Sequence, residues 1–347
     1  MKICLFCENR YAVDILSPLQ DEALREGGHE VLWYAGPQCM AGLKGTQSAV
    51  TGSMAQVRAF RPDAVFVPGN IVPYWLSGVK VGIFHGYAVK RDQFVIRRYF
   101  DLYCTQGPFY TSRFEALARQ YGDFEVRETG WTKQDWVQRH LHDYDAQKAA
   151  LLQKYGKQRV VIYAPTFSPK LTSLPRMKPA LERLLAERDV VLLLKFHPLT
   201  RQEWCDEYRA WAQTQQGAVY IDAGENVTPY QMMSDLMISD TSSAIYEFLL
   251  LGRPVVTLNT IERDIHWENI ADPSDLTAAF DRVWTDPESI ARREWITANI
   301  DPYTDGQCCR RMLDAARDYI SRHGVPAQRR LNLWRKYKCI KTFGWPK

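Results

Sequence analysis

The sequence predicts an α/β protein of two doubly wound domains, each with a parallel sheet and helices on both faces. Three observations lead to this fold class. Short apolar runs of strand length alternate with helical segments, in the βαβ order that is typical of parallel sheets. This alternation stops over residues 131–157, which are polar and rich in charge, and then starts again. A chain of 347 residues is also long enough for two domains of about 150 residues.

The first half of the chain supplies the first series of elements. The predicted strands are Lys2–Cys7, Glu30–Tyr34, Ala64–Pro68, Lys80–Phe84 and Leu102–Thr105. Between them, Asp14–Glu26 and Tyr110–Tyr121 have apolar residues at helical spacing and end at glycine.

The second series begins at Arg159. The predicted strands are Val160–Ala164, Val190–Phe196, Val219–Asp222, Leu236–Ser239 and Val255–Leu258. The predicted helices are Lys178–Arg188, Gln202–Gln213, Thr228–Ser234 and Ser242–Leu251. Residues 131–157 are expected to contain a helix and no strand, so the domain boundary is placed there.

We therefore predict an N-terminal domain over 1–145, a C-terminal domain over 146–310, and a terminal helix with a basic aromatic tail over 311–347. Two doubly wound domains that face each other form a central cleft, and ligands bind at the carboxyl ends of their strands. Catalytic groups are accordingly expected just after strands.

The composition of the chain argues against several classes of protein. The eight cysteines are irregularly spaced, and the pair Cys4 and Cys7 lies on a predicted strand, so reduced core thiols are expected rather than a metal or redox site. The first apolar run is too short for a signal peptide or a membrane span. The sequence thus predicts a soluble cytoplasmic protein.

The charge of the chain is uneven. The net charge is +4, yet the segment 329–347 alone has seven Lys or Arg and no acidic residue, interleaved with aromatic residues. Such a segment suits an anionic membrane surface. The alternative is a terminal helix that packs on the body with a solvated basic side. Nucleic-acid binding is not expected, because the excess of positive charge is confined to this one segment.

A run of small polar residues follows the predicted strand Leu236–Ser239. Ser239, Asp240, Thr241, Ser242 and Ser243 precede a predicted helix, whose first N–H groups attract phosphate. The alternative is that Asp240 or Thr241 merely caps the helix. Five small polar residues exceed what capping needs, so a diphosphate site is predicted. Glu247, one helical turn further on, is within reach of a ribose hydroxyl, although a solvent-facing helix glutamate explains it more simply.

Two more strand ends have candidate groups. Lys195 and His197 follow the strand Val190–Phe196 and are expected to point the same way as a grip on phosphate. Thr166 follows the first strand of the second series. The sharp turn at Pro165 places it at the cleft, although a plain strand end explains it equally well.

In the first half, His85 follows the predicted strand Lys80–Phe84. It is the candidate general base for a hydroxyl nucleophile, with Gly86 and Lys90 on the acceptor side. The alternative is a core histidine bonded within a loop. The sequence has neither metal-ligand spacing nor a dinucleotide or P-loop motif, so no cofactor is predicted.

Taken together, these motifs resemble those of the CDP-glycerol glycerophosphotransferase family, the GT-B-fold primases and polymerases of teichoic acid. The similar segments, in order, are His85-Gly86 with Lys90, Thr129–Asp135, Tyr163–Phe167, Lys195–Pro198 and Ser239–Pro254. Their co-occurrence over residues 80–260 is far more specific than any one of them.

The resemblance implies a GT-B fold and a reaction. His85 would deprotonate the acceptor hydroxyl. His197, Thr166, Ser242 and Ser243 would hold the diphosphate of a CDP-activated polyol, and Glu247 would bind the ribose. The acceptor oxygen would attack the β-phosphorus and CMP would leave, in the synthesis of a cell-surface polymer such as teichoic acid or capsule. The acceptor would be lipid-linked or a glycan, at the inner face of the plasma membrane.

Three other functions fit the same sequence. The first is a GT-B glycosyltransferase that uses a UDP- or CMP-sugar as donor. The second is an enzyme similar to UDP-sugar 2-epimerases. The third is a non-catalytic protein that binds a nucleotide. Release of CMP from CDP-glycerol, isomerisation of a sugar without an acceptor, and binding without turnover distinguish these from one another.

Overall fold

The computed structural model describes residues 1–87 and 94–345, and these form two compact units. Unit 1 comprises Met1–Arg139 and Asn299–Lys347, and unit 2 comprises His140–Ala298. The chain thus leaves unit 1, builds unit 2 and returns to complete unit 1. As an assignment of acceptor and donor domains, the predicted scheme of 1–145, 146–310 and 311–347 stays a prediction.

The described strands, in chain order, are β1 (Lys2–Cys7), β2 (Glu30–Ala35), β3 (Ala49–Thr51), β4 (Ala64–Val67), β5 (Val79–Gly82), β6 (Leu102–Thr105), β7 (Glu125–Glu128), β8 (Arg159–Tyr163), β9 (Val190–Lys195), β10 (Ala218–Ile221), β11 (Leu236–Ser239), β12 (Val255–Leu258) and β13 (Glu268–Ile270). The sheet of unit 1 has the order β3-β2-β1-β4-β5-β6-β7, and that of unit 2 the order β10-β9-β8-β11-β12-β13. All these pairings are parallel.

The described helices are α1 (Tyr11–Glu26), α2 (Met54–Phe60), α3 (Pro108–Tyr121), α4 (Thr132–His140), α5 (Asp145–Tyr155), α6 (Leu174–Glu187), α7 (Gln202–Thr214), α8 (Thr228–Met233), α9 (Ala244–Leu249), α10 (Leu276–Thr285), α11 (Pro287–Asn299), α12 (Cys308–His323) and α13 (Leu333–Phe343). Two short 3-10 helices, Met40–Leu43 and Pro273–Asp275, complete the described helical structure. The predicted fold class, an α/β protein with two parallel sheets and interleaved helices, is confirmed.

Burial explains why the sheets form at these places. Every residue of β4, β6, β8 after Arg159, β9, β11 and β12 is buried, as expected of parallel strands covered on both faces. In each sheet the strand order reverses once, between β1 and β4 in unit 1 and between β8 and β11 in unit 2. Ligand sites of doubly wound folds lie at such reversals, beyond the carboxyl ends of the strands.

The cysteines belong to these cores. All eight are buried and unpaired, and burial raises the pKa of the Cys4 thiol to about 12. Such thiols are inert packing groups at neutral pH. Among the described helices, none combines the length and the apolar character that crossing a bilayer requires.

Candidate active site

The loops that leave β8 and β11 are joined to each other at the reversal of the unit 2 sheet. The Ser239 hydroxyl donates to the carbonyl oxygen of Ala164 at 2.7 Å, and the Thr166 N–H donates to Asp240 Oδ1 at 2.8 Å. Ala164 N–H also donates to the Ile238 carbonyl at 2.9 Å. The sequence-predicted residues Thr166, Ser239 and Asp240 are therefore neighbours, although about 75 positions of sequence separate the two loops.

Asp240 is the centre of this junction. Its side chain is fully buried, and Oδ2 accepts hydrogen bonds from the Ser173 N–H and hydroxyl, both at 2.8 Å. Oδ1 accepts from Thr166 N–H and, at 2.5 Å, from its neighbour Thr241 N–H. Burial raises the pKa of Asp240, while these donors oppose the rise. Asp240 thus shapes the loops from behind and is not a cap of α9.

The rim of the junction is formed by the residues that follow. Thr241 is nearly buried and accepts from Ile261 N–H at 3.3 Å, which attaches the loop after β12. Ser242 is half-buried and Ser243 exposed. Helix α9 begins at Ala244, two residues later than predicted, and has only six residues, with Glu247 half-buried on it. A helix this short contributes little dipole, so any phosphate site here depends on the surrounding loops.

His197 lies on the loop that leaves β9, exposed beside the junction. Its ring stacks at a tilt on Phe167 of the β8 loop, with 4.5 Å between ring centroids. Leu199 N–H donates to His197 Nδ1 at 3.0 Å, so in the neutral ring the proton is on Nε2. Burial, and then the positive charge of Lys195, lower the pKa of His197. His197 is therefore a neutral donor through Nε2–H at physiological pH.

Lys195 does not share the exposure of His197. It is 4% exposed, and its ammonium group donates to the carbonyl oxygens of Phe196 and Ala223, both at 3.0 Å. Burial lowers its pKa, and the acidic residues Glu225 and Asp222 oppose that effect. The ammonium group thus joins the β9 and β10 loops behind the surface on which His197 is exposed.

In unit 1, His85 follows β5 with an exposed side chain. Its Nδ1 lies 3.2 Å from the carbonyl oxygen of Pro68, which follows the adjacent strand β4. A carbonyl oxygen can only accept, so Nδ1 has the proton and Nε2 of the neutral ring is a free acceptor. His85 and His197 therefore have opposite tautomers: one presents a lone pair, and the other presents a proton.

The surroundings of His85 include one group that the sequence analysis missed. Glu8 follows β1 at the reversal of the unit 1 sheet, and its Oε2 lies near Gly69, about 4.0 Å from where a Cβ on that glycine would stand. Burial raises its pKa to about 7. The sequence could have indicated Glu8 as a site residue, because it directly follows a strand at the reversal of strand order. Tyr11 packs against the His85 ring, with centroids 5.6 Å apart.

The predicted residues therefore divide into two sets. Thr166, His197 and Ser239–Ser243 come together at one edge of unit 2, with Lys195 behind them, and His85 and Gly86 lie at the corresponding edge of unit 1. Gly86 has a φ of +155° and open space where a side chain would project. Lys90 lies outside the described residues. The binding and catalytic roles given to all of these stay predictions.

Comparison with known proteins now adds to this geometry. A family model described as CDP-glycerol:poly(glycerophosphate) glycerophosphotransferase matches residues 86–316. No curated protein matches the chain.

Solved structures share the fold at low identity. The wall teichoic acid polymerase TagF has a TM-score of 0.61 at 15% identity, over 92% of this chain and 89% of that chain. The S. aureus MnaA–UDP complex has a TM-score of 0.65 at 15% identity, over 92% and 97%. The UDP-GlcNAc 2-epimerase from Neisseria meningitidis bound to UDP-GlcNAc has a TM-score of 0.64 at 14% identity, over 92% and 100%.

These neighbours are GT-B-like, and at such identities they support the fold alone. The family match spans more than half of the chain and contains most of the residues described above, from Gly86 to Glu247. The chain therefore belongs to the CDP-glycerol:poly(glycerophosphate) glycerophosphotransferase family, and it is a transferase of CDP-glycerol-derived groups in the synthesis of a cell-surface polymer.

Proposed function

We propose that unit 2 holds the diphosphate of CDP-glycerol at the β8–β11 junction, and that His85 deprotonates the acceptor hydroxyl. The opposite tautomers of the two histidines support this division of roles best. Nε2–H of His197 donates to a phosphate oxygen, as do Thr166, Ser242 and Ser243 on the rim. Glu247 accepts from a ribose hydroxyl. Asp240 and Ser239 set the shape of the rim, and Lys195 adds positive charge behind it.

The reaction follows from these roles. The acceptor oxygen attacks the β-phosphorus in line, His85 Nε2 takes the proton of the hydroxyl, and the bond to the CMP oxygen breaks. Glycerophosphate is then joined to the acceptor and CMP is released. Such transfer needs position and neutralised charge more than covalent help from the protein. The acceptor is a lipid-linked or glycan hydroxyl, most simply the end of a growing polyol-phosphate chain.

Thermal stabilisation by nucleotide ligands tests the donor. We expect CDP-glycerol to stabilise the protein more than CDP-ribitol, UDP-sugars or CMP-sugars do. At a hundred times its dissociation constant, CDP-glycerol should add about 2.7 kcal/mol to the free energy of unfolding of the ligand-free protein. In His197→Asn the polar group no longer reaches the Nε2 position, so we expect affinity to fall on the order of tenfold or more.

The matched control is His197→Gln, whose amide N–H₂ replaces the Nε2–H donor and should keep most of the affinity. Equal losses in the two variants would remove His197 from the diphosphate site. Stabilisation by a UDP-sugar alone, with isomerisation of that sugar in the absence of an acceptor, would instead establish the epimerase alternative.

We further propose that the chain works at the cytoplasmic face of an anionic membrane, to which α13 attaches it. This helix both packs on the body and presents an outer surface. Cys339 is fully buried, and Phe343 contacts Phe6 edge to face at 5.6 Å. The outer surface, which we call the aromatic face, comprises Leu333, Trp334 and Tyr337 on α13 and Trp345 just beyond its end, each at least 56% exposed.

The charge around the aromatic face supports a lipid partner. Arg330, Lys338 and Lys341 are exposed beside it. Arg335 and Lys336 are half-buried and contact the body, and residues 329–345 contain no acidic side chain. Basic residues near an anionic bilayer contribute about 1 kcal/mol each, while interfacial aromatic residues insert among the headgroups. Arg329 does not belong to this surface, because its guanidinium is 10% exposed and pairs with Asp101 at 2.8 Å.

We therefore expect the double variant Leu333→Ser with Trp334→Ser to sediment on the order of tenfold less with vesicles containing phosphatidylglycerol. Point changes are preferable to deletion of 329–347, which would leave buried Asp101 without its partner. Met40→Ser, which removes an exposed apolar residue elsewhere in unit 1, is the control. Equal sedimentation of the double variant and the wild type would exclude the aromatic face as the attachment site.

A further inference from the structure

The segment that contains His85 has an unfavourable backbone conformation. Phe84 has a φ of +59°, in the left-handed region that bulky residues rarely adopt, and Gly86 follows at +155°. Such a conformation is energetically unfavourable and persists only when the surroundings enforce it. The His85 side chain itself makes only the contact with Pro68 among its described hydrogen bonds. The restraint therefore comes from its neighbours in sequence.

Side-chain donors bind the backbone on both sides of His85. They are Trp131 Nε1–H on the Phe84 carbonyl at 3.4 Å, Gln106 Nε2–H on the Gly86 carbonyl at 2.9 Å, and the Tyr110 hydroxyl on the Tyr87 carbonyl at 2.6 Å. The backbone carbonyl groups next to His85 are thus fixed by the residue after β6, by helix α3 and by the residue before α4.

Tyr87 adds the strongest restraint. Its side chain is 1% exposed, and its hydroxyl donates to Asp301 Oδ2 at 2.7 Å while it accepts from Gln134 Nε2–H at 3.1 Å. Its ring packs edge to face on Trp131, at 4.9 Å between centroids. Asp301 is 3% exposed, and the same Oδ2 accepts from Trp131 N–H at 3.0 Å. One carboxylate oxygen therefore joins the His85 segment to the residue that precedes α4.

The segment that supplies Asp301 cannot shift to follow a displaced tyrosine. A Cβ at Gly107, just after β6, would lie 2.6 Å from the Ile300 carbonyl oxygen. A Cβ at Gly130, just after β7, would lie 2.4 Å from Cys308 Sγ. Only glycine permits such approaches, so the backbone before Asp301 rests directly on the end of β6, and the Tyr303 and Cys308 side chains after it rest on the end of β7. The Asp301 carboxylate therefore keeps its position when Tyr87 is displaced.

We propose that Tyr87 and Asp301 are positioning residues that hold His85 with Nδ1–H on the Pro68 carbonyl and Nε2 unprotonated. Neither residue touches substrate. The proposal rests on the proposed role of His85 as the base. It gives a function to the buried hydrogen bond between Tyr87 and Asp301, which are 214 positions apart in sequence. Without the tyrosine hydroxyl, the left-handed turn at Phe84 loses its support, and the imidazole ring leaves the Pro68 carbonyl.

The test is the Tyr87→Phe variant of the full chain. With seven histidines, ¹⁵N-histidine labelling resolves individual rings by NMR, and His85→Gln assigns the signal. We expect the wild type to show the Nδ1–H tautomer and Tyr87→Phe to shift towards the Nε2–H form that imidazole prefers in water. We also expect kcat to fall on the order of a hundredfold while affinity for CDP-glycerol stays unchanged, because displacement by about 1 Å has an effect of that size.

The matched control is Tyr208→Phe, which removes an equally buried hydroxyl that donates to the Leu174 carbonyl at 2.7 Å in unit 2. It should leave the His85 signal unaltered. If Tyr87→Phe does not fold, Asp301→Asn replaces it, because the amide keeps the size of the side chain but binds the Tyr87 hydroxyl and the Trp131 N–H more weakly than a carboxylate does. An unchanged His85 tautomer in the folded variant would overturn the proposal. If the wild type has no activity on CDP-glycerol but Tyr87→Phe still shifts the His85 tautomer, the positioning role would be supported and the proposed donor refuted.

Discussion

Replacement of His85 by alanine is expected to reduce turnover on the order of 10²–10⁴-fold, the usual contribution of a general base. The acceptor hydroxyl would have to lose its proton to water in the transition state. His85 belongs to unit 1 and the proposed diphosphate site to unit 2, so affinity for CDP-glycerol should change little. CMP release at saturating donor and the CDP-glycerol-dependent thermal shift measure the two quantities separately.

Two further variants make the His85 experiment specific. His85→Gln keeps a polar group of similar reach but has no basic nitrogen, and it should be as inactive as alanine. His142→Ala removes a surface histidine that is paired with Asp145 at 2.9 Å, and it should retain full activity. Loss of CDP-glycerol affinity in His85→Ala, with turnover preserved at high donor concentration, would show that His85 binds the donor instead.

Asp240→Ala is expected to produce the largest change in stability. The substitution removes the acceptor of four hydrogen bonds and leaves the N–H groups of Thr166, Ser173 and Thr241 without partners. The Ser173 hydroxyl keeps only its hydrogen bond with the Tyr163 hydroxyl. A buried donor left unsatisfied costs about 1–3 kcal/mol, so we expect a loss of at least about 3 kcal/mol in the free energy of unfolding. The rim should open, and CDP-glycerol affinity should fall with it.

Urea unfolding and hydrogen exchange at Thr166 and Ser173 measure this effect. Asp240→Asn keeps one acceptor oxygen and should lie between alanine and the wild type. The control is Asp222→Ala in the same unit, because Asp222 is exposed and accepts from Gly224 N–H at 2.8 Å in a surface turn. It should cost less than about 1 kcal/mol. Unchanged unfolding and donor affinity in Asp240→Ala would refute the central place given to this carboxylate.

The fold could be predicted wherever a strand is buried on both faces. The bounds predicted for Leu102–Thr105, Leu236–Ser239 and Val255–Leu258 agree with the observed strands. These strands could be recognised in the sequence because their residues are apolar or small and turns flank them on both sides. By contrast, Ala49–Thr51 and Glu268–Ile270 are three-residue edge strands of mixed polarity, and no periodicity can be read from three residues.

The candidate site could be predicted only in part, because a pattern shows where a residue lies along the chain but not what it contacts. The run Ser239–Ser243 was identified at a strand end, where the structure places it. That Asp240 points inward to Ser173, 67 positions earlier, has no local signature. Alternation likewise suggested that Lys195 and His197 point the same way, whereas the bend after β9 turns one inward and leaves the other exposed.

The discontinuity of unit 1 has a consequence for the order in which the protein matures. During synthesis, the β8–β11 junction of unit 2 is complete once Ala298 has been made. Unit 1, which contains the proposed base His85, is not complete at that point, because Asp301, α12 and α13 are translated after unit 2, and domains generally fold as units. A nascent chain should thus be able to hold donor before it can activate an acceptor. Commitment of the nucleotide to chemistry would then await synthesis of the segment that follows unit 2 and completes unit 1.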